Sequence, residues 1–208
     1  MGREYRSSPP KEEPFVMDEG EKVEIEAKIG LTSDIDLYDM TWPDRYKIEK
    51  HGRRLTTEHV FYYDEQDKYL FSITEGKAVK VKTEPQEEMI DGVPILVRME
   101  AIRPHQPGNI PMYHMSRRMK RTRDSLWLVD LTGPFRFFVT YDKCKAQDGS
   151  IMHQIEVEYT SFEVKQDRVE DILKDISKLV KHICTWAPSS VGLCPYYLTK
   201  YEWVKGTR

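Results

Sequence analysis

The sequence predicts a mainly β protein, α+β overall: an antiparallel closed barrel of about eight strands with flanking helices. Three observations predict it. Segments in which apolar and charged residues alternate recur along the chain, as where Val23, Ile25, Ala27 and Ile29 interleave with Glu24, Glu26, Lys28 and Gly30. Turn signals such as Glu75-Gly76, Gly133-Pro134 and Gln147-Asp148-Gly149 separate successive segments and join them as hairpins. Charged residues make up 32% of the chain against 39% hydrophobic, more charge than an apolar core with a polar skin requires. A barrel with a solvated interior would use it.

Residues 1–20 carry three prolines and are expected to form a disordered arm, leaving 21–208 as one domain. Alternation makes 22–30 the first strand. Residues 35–54 read as a connection with a short helix, 56–63 and 69–74 as a hairpin around 64–68, and 78–83 as the next strand. Residues 84–93 read as a polar loop, 95–102 as a strand, and the proline-rich 103–112 as a second loop. A very basic strand over 113–123, a turn at Asp124-Ser125 and a returning strand over 126–132 follow, then a hairpin of 135–143 and 151–160. One helix stands out over 167–184, where Val169, Ile172, Leu173, Ile176, Leu179, Val180 and Ile183 fall at helical spacing behind the candidate cap Asp167. It should seal the outside of the sheet. A loop over 185–195 and a last strand over 196–204 complete the chain.

Several function classes are disfavoured. The net charge of −3 sets 32 basic against 35 acidic residues, so no overall field draws in nucleic acid and a polyanion site must be a local basic cluster. Three cysteines (Cys144, Cys184, Cys194) without a Cys-x-x-Cys pair argue against a disulfide framework or a cysteine zinc site and make an intracellular location the default. The N-terminal stretch has no apolar run of a secretory signal, and no run approaches a membrane span. No glycine-rich phosphate loop is present, which excludes a P-loop enzyme. The six histidines are scattered, and Trp42 and Trp127 read as core residues rather than base-stacking platforms.

The charged faces carry the chemistry. One strand presents Glu24, Glu26 and Lys28 on one side, and another Lys80 and Lys82. A third presents Arg98 and Glu100. The basic strand presents Arg117, Arg121 and Arg123 on one face and Arg118 and Lys120 on the other, and either set could point inward, because a one-residue slip exchanges them. A late strand presents Gln154, Glu156 and Glu158, and 126–132 places Leu126, Leu128, Asp130 and Thr132 together. Solvated strands usually mix signs, because like charges two residues apart repel. Sorting acids and bases onto different strands needs an offset, which a metal on the acids and a polyphosphate on the bases would supply. Carboxylates suit a hard divalent cation, and Arg and Lys suit phosphoryl oxygens. On this view, removing Glu26 would relieve repulsion and leave stability largely unchanged.

These residues resemble a known family. Glu24-Ile25-Glu26-Ala27-Lys28 is similar to the Glu-x-Glu-x-Lys signature of the triphosphate tunnel metalloenzymes. Residues 58–64 with the hairpin into 78–82 resemble their second block, and 154–158 their late Glu-x-Glu strand. Residues 117–132, ending Asp-Leu-Thr, resemble one subgroup, the metal-dependent RNA 5′-triphosphatases of fungal and protozoan mRNA capping.

The resemblance implies a triphosphate-tunnel barrel that hydrolyses the γ-phosphate of 5′-triphosphate RNA, and also NTPs, with Mg2+ or Mn2+ as cofactor. It implies that Glu24, Glu26 and Glu158 hold the metal and that Glu156 orients water. Lys28, Lys80, Lys82, Arg98, Arg117, Arg121 and Arg123 would hold phosphates, with Asp130 and Thr132 orienting those cations. Nuclear localisation and an mRNA guanylyltransferase receiving the diphosphate end are further implications. Two alternatives stay open: an inorganic tripolyphosphatase or thiamine-triphosphatase of the same fold, and a non-catalytic transcription-scaffold subunit with the same barrel.

Overall fold

In a computed structural model of the chain, the described residues are 21–63, 70–74, 78–83, 85–104, 114–161, 168–186, 194–195 and 199–206. The expected arm at 1–20, the turns at 64–68 and 75–76, and most of the proline-rich loop lie outside them. The strands are β1 (Glu21–Leu31), β2 (Tyr46–His51), β3 (Leu55–Tyr63), β4 (Leu70–Thr74), β5 (Ala78–Lys82), β6 (Gln86–Ile90), β7 (Val93–Pro104), β8 (His114–Met115), β9 (Met119–Asp130), β10 (Arg136–Ala146), β11 (Ile151–Ser161) and β12 (Cys194–Pro195). The helices are α1 (Val169–Trp186) and α2 (Lys200–Gly206), with a 3-10 turn at Leu37–Asp39.

The protein is mainly β. All of the pairings are antiparallel, and they run β1-β11-β10-β9-β3-β4-β5-β7, with β7 pairing in turn with β1. Eight strands therefore form a ring of ladders. β6 adds to β7, β12 to β1 and β8 to β3 at its margins, and β2 takes over as neighbour of β9 where β3 ends. A shift in register between Ile48 and Lys50 accommodates that exchange.

The alternation of β1 decides which face is which. Ile25, Ala27 and Ile29 are fully buried in an apolar layer with Ile155, Val157, Phe137, Val139, Leu126 and Leu128 from β9–β11. α1 covers this outer layer with Ile172, Ile176, Leu179, Val180 and Ile183, as its helical spacing predicts, and packs on β1, β7 and β11. The opposite faces of the same strands turn to the inside of the ring. An ionic clamp ties the cover to the sheet. Arg45 donates to both oxygens of Asp130 at 2.9 and 2.6 Å and to Asp175 of α1 at 2.7 Å.

Four expectations are corrected. Asp124-Ser125 is not a turn: β9 runs straight through it, paired with β10 from Val129 to Met119. Asp124 is instead buried on the outer face and held by Arg54 at 2.7 and 2.5 Å. The Gly52 amide donates to the Ser125 carbonyl at 2.7 Å, an approach so close that a Cβ on Gly52 would lie 2.0 Å from the Ser125 hydroxyl oxygen. Residues 84–93 are not a polar loop. β6 and β7 form a hairpin through Asp91-Gly92, whose φ angles of 52° and 79° suit a two-residue turn. The connection 35–54 contains strand β2 as well as the short helix. The chain ends in helix α2 where a last strand was expected.

Ile176 is fully buried between α1 and the sheet. Ile176→Ala should lower unfolding free energy by about 2–5 kcal/mol, read as a shift of the urea midpoint without change of slope.

Candidate functional site

Cross-strand register gathers the charged faces. Glu26 stands opposite Glu158, Lys28 opposite Glu156, Glu24 opposite Arg98, Lys82 opposite Glu100, and Arg123 opposite Asp142. Directly opposed residues share a face, so these side chains all point inside the ring. They surround a cavity of about 140 Å³, lined among others by Glu24, Lys28, Lys80, Lys82, Arg98, Arg121, Arg123, Glu156, Glu158 and Lys200. This settles the register of the basic strand: Arg121 and Arg123 face in, while Arg118 and Lys120 are exposed.

The interior is a lattice of ion pairs. Glu100 forms ion pairs with Lys22 at 3.2 Å, Lys80 at 2.6 Å and Lys82 at 3.0 Å. Lys82 also reaches Glu24 at 2.6 Å, and Arg98 joins Glu24 at 2.6 Å to Glu26 through its other nitrogen. Lys28 bridges Glu26 at 2.6 Å and Glu156 at 3.0 Å. Arg123 then holds Glu156 at 2.7 Å and Asp142 at 2.6 Å, and Lys200 holds the same two at 2.6 and 2.8 Å. Glu24 and Glu26 are each 1% exposed. Charges this deep survive only because each finds a partner.

Electrostatics follow from that lattice. Burial pushes the Glu24 carboxyl up, but Lys82 and Arg98 outweigh it and hold the group at about 2. Glu156, buried too, is pulled well below the usual carboxylate range by Lys200, Lys28 and Arg123. Arg123 is raised despite burial, by Asp142 and Glu156. Arg121 moves the other way. Burial and the neighbouring Arg123 lower it, and Asp142 stands 4.0 Å from its Nε, which makes no hydrogen bond. Lys80 is likewise lowered, by burial and by Lys82. Burial, with Arg121 and Lys200 nearby, drops the His59 imidazole to about 3 and leaves it neutral.

Three expected site residues, Asp130, Thr132 and Arg117, lie elsewhere. Asp130 is on the outer face of β9, clamped by Arg45, and its Oδ1 accepts from the Thr132 amide and hydroxyl at 2.9 and 2.8 Å. It orients no cation of the cavity, because its position has the same parity as the core residues Leu126 and Leu128. Arg117 precedes β9, is half exposed, and meets Asp148 at 3.9 Å outside the cavity. The expectation about Glu26 is also reversed: its carboxylate pairs with Arg98 and Lys28, so removing it strands buried cations.

Reading the sequence missed Asp142, Glu100 and Lys200. Asp142 shares the inward parity of Thr140 and Cys144 along β10 and was legible there. Glu100 was placed on the face of Arg98 but given no role. Lys200 opens α2, in a segment that carries no periodic signal for its direction.

The donor set is compatible with a hard cation. Glu24 and Glu26 on β1, with Glu158 directly opposite on β11, offer carboxylate oxygens alone. Among the described residues no three such groups converge as a ligand set; Glu24 and Glu26 are turned to Arg98, Lys82 and Lys28. A divalent ion would stand as counter-charge where these side chains now serve.

No protein-family model and no curated protein matches the sequence. Among solved structures, the chain is similar to the Mimivirus capping enzyme triphosphatase, at 9% identity and a TM-score of 0.43 over 79% of this chain and 91% of that one. It is similar to the S. pombe Pct1 RNA triphosphatase at 16% identity and a TM-score of 0.33, over 79% and 81% of the two chains. For Pct1 in complex with the Spt5 CTD the values are 14%, 0.37, 79% and 82%.

A carboxylate held at about 2 instead of 4.5 stabilises the fold above pH 4.5 and loses that contribution as pH falls toward 2. Glu24→Gln should therefore be less stable than the wild type at neutral pH, by on the order of 3 kcal/mol. The gap should narrow between pH 4.5 and 2, as read from urea midpoints across that range.

Proposed function

We propose that this protein is a metal-dependent triphosphatase that hydrolyses the terminal phosphate of 5′-triphosphate RNA and leaves a 5′-diphosphate end. One observation carries the reading. The cavity is lined by seven cations (Lys28, Lys80, Lys82, Arg98, Arg121, Arg123, Lys200) against three carboxylates (Glu24, Glu156, Glu158), and the buried Arg121 Nε makes no hydrogen bond. A part-buried guanidinium whose ion pair with Asp142 spans 4.0 Å suits a closer anion, and several cations around a small cavity suit a polyphosphate.

The chemistry is largely electrostatic, since phosphoryl transfer passes through a loose transition state with charge spread over the phosphoryl oxygens. A divalent ion such as Mg2+ or Mn2+, held by Glu24, Glu26 and Glu158, would supply Lewis-acid polarisation of the terminal phosphoryl group. Arg121 and Arg123 bind the terminal phosphate oxygens from β9, while Lys80, Lys82 and Arg98 neutralise the diphosphate that leaves. Lys28 keeps Glu26 and Glu156 apart electrically and offers an ammonium to the bridging oxygen. Glu156, kept ionised by Lys200, Lys28 and Arg123, accepts a hydrogen bond from the attacking water and aligns it. Its lowered pKa makes it a weak base, which suffices where the nucleophile loses its proton late. The resemblance of 24–28 to triphosphate tunnel metalloenzymes and of 117–132 to their capping subgroup supports mRNA 5′ ends as the substrate, a guanylyltransferase as the next enzyme, and nuclear action.

The test is release of labelled phosphate from γ-labelled triphosphate RNA and from tripolyphosphate, with Mg2+, with Mn2+ and with chelator. Metal-dependent release from RNA is the expected result. Release from tripolyphosphate alone would move the substrate class to small molecules, and none from either would remove the enzyme reading.

Arg121→Ala should lower kcat about a hundredfold, the usual loss when one transition-state donor is removed. Its melting temperature should hold or rise, because the deleted cation makes only a 4.0 Å ion pair with Asp142 and stands beside the like charge of Arg123. A variant as active as the wild type would remove Arg121 from the mechanism.

A further inference from the structure

The inner faces of β9 and β10 carry Trp127 and Arg136, both exposed, and the half-buried Phe138 beyond the residues that line the cavity. Phe138 of β10 stands opposite Glu158 on one side and Trp127 of β9 on the other. Opposed residues share a face, so Glu158, Phe138 and Trp127 form one row that leads out of the cavity. The two rings lie 4.6 Å apart between centroids, tilted by 36°. Trp127 is 36% exposed, and neither apolar cluster contains it or Phe138. The expectation that Trp127 is a core residue is thus corrected: its parity sends it inward, at a level where β3 has ended and β2 is the neighbour.

β2 brings charge to the same place. Lys50 stands opposite Trp127, and Lys47 stands opposite Val129. Arg136 also stands opposite Val129, which is two residues from Trp127 and so on the same face. All three cations are exposed, and Arg136 meets Glu49 at 2.9 Å. Met119, Cys144 and Met152, at the opposite ends of β9–β11, are covered by Tyr201 and Val204 of α2. The aromatic row therefore lies at the end of the strands remote from α2.

We propose that this rim is a docking surface for single-stranded RNA. The first nucleoside stacks on Trp127 and Phe138, and the phosphates that follow lie along Lys50, Lys47 and Arg136. Exposed aromatic faces bordered by cations fit a single-stranded polynucleotide of any sequence, because every base has a face to stack and every linkage a charge. The orientation of the strand, 5′ end toward Glu158, rests on the triphosphatase reading; the surface itself does not.

The test is anisotropy of a dye-labelled, single-stranded RNA oligonucleotide of mixed sequence with a 5′-hydroxyl end, so that no triphosphate engages the cavity. The wild type should bind it with salt-dependent affinity. Trp127→Ala should bind about tenfold more weakly, and Trp127→Phe should recover most of the loss. Lys50→Ala should weaken binding and reduce the salt slope by about 1. Failure of the folded wild type to bind, or equal binding by Trp127→Ala, would overturn the surface. Phosphate release from γ-labelled triphosphate RNA and from tripolyphosphate, measured on the wild type in parallel, separates the two readings. Trp127-dependent RNA binding without any phosphate release keeps the surface and removes the triphosphatase. Phosphate release with RNA binding indifferent to Trp127 does the reverse.

Discussion

Glu24, Glu26, Glu100 and Asp142 lie inside a ring of strands with at most 1% of their surface exposed. An ion stranded at such a place costs several kcal/mol, and its pairing recovers that only when the geometry is good. The ladders supply the geometry. Each inward position is fixed by backbone register before any side chain is placed, so Glu24 meets Arg98 and Lys82 meets Glu100 because their strands are aligned that way. The lattice acts back on register, since a one-residue slip of β1 would bury Ile25 and Ala27 among the cations and press Glu24 and Glu26 against α1. Charge pairing inside and apolar packing outside thus hold the same alignment from two sides.

Helix α1 depends on that division. Its buried stripe can be wide because the outer faces of β1 and β11 are apolar at every second position, and the ring needs only one such cover. The Arg45 clamp then fixes α1 to β9 through Asp130 and Asp175. It also accounts for the displacement of Asp130 from the expected site: one carboxylate cannot both anchor the cover and orient a cation on the far face.

Much of this was legible in the chain because a two-residue period maps directly onto two faces. Glu24, Glu26, Lys28, Lys82, Arg98, Arg123 and Glu156 could be grouped without knowing a single contact, and α1 was plain from its spacing. The failures have physical causes. Asp124-Ser125 looks like a turn by composition, yet tertiary partners Arg54 and Gly52 satisfy both residues within a strand. β6 is short, polar and marginal to the ring, so it carries no apolar alternation to announce it. Lys200 reaches the cavity from a short helix whose direction is set by the packing of Tyr201 and Val204 against Met119, a long-range contact that local pattern cannot contain. Asp130 and Thr132 were assigned by resemblance alone, although their parity with Leu126 and Leu128 already pointed to the apolar layer.

If the cavity takes a polyphosphate, as proposed, the Arg121 guanidinium would make it an ion exchanger. A cell holds inorganic phosphate and nucleotides at concentrations far above those of RNA ends, and a buried donor without a hydrogen bond accepts whichever of them fits. A substrate of the proposed kind would therefore displace a resident anion on arrival. Its apparent affinity is a difference between two binding free energies, and measured constants would shift with the phosphate, sulfate or citrate of the buffer. Selectivity for long substrates over the small anions that share their end group then has to come from contacts outside the ring, where small anions have nothing to touch.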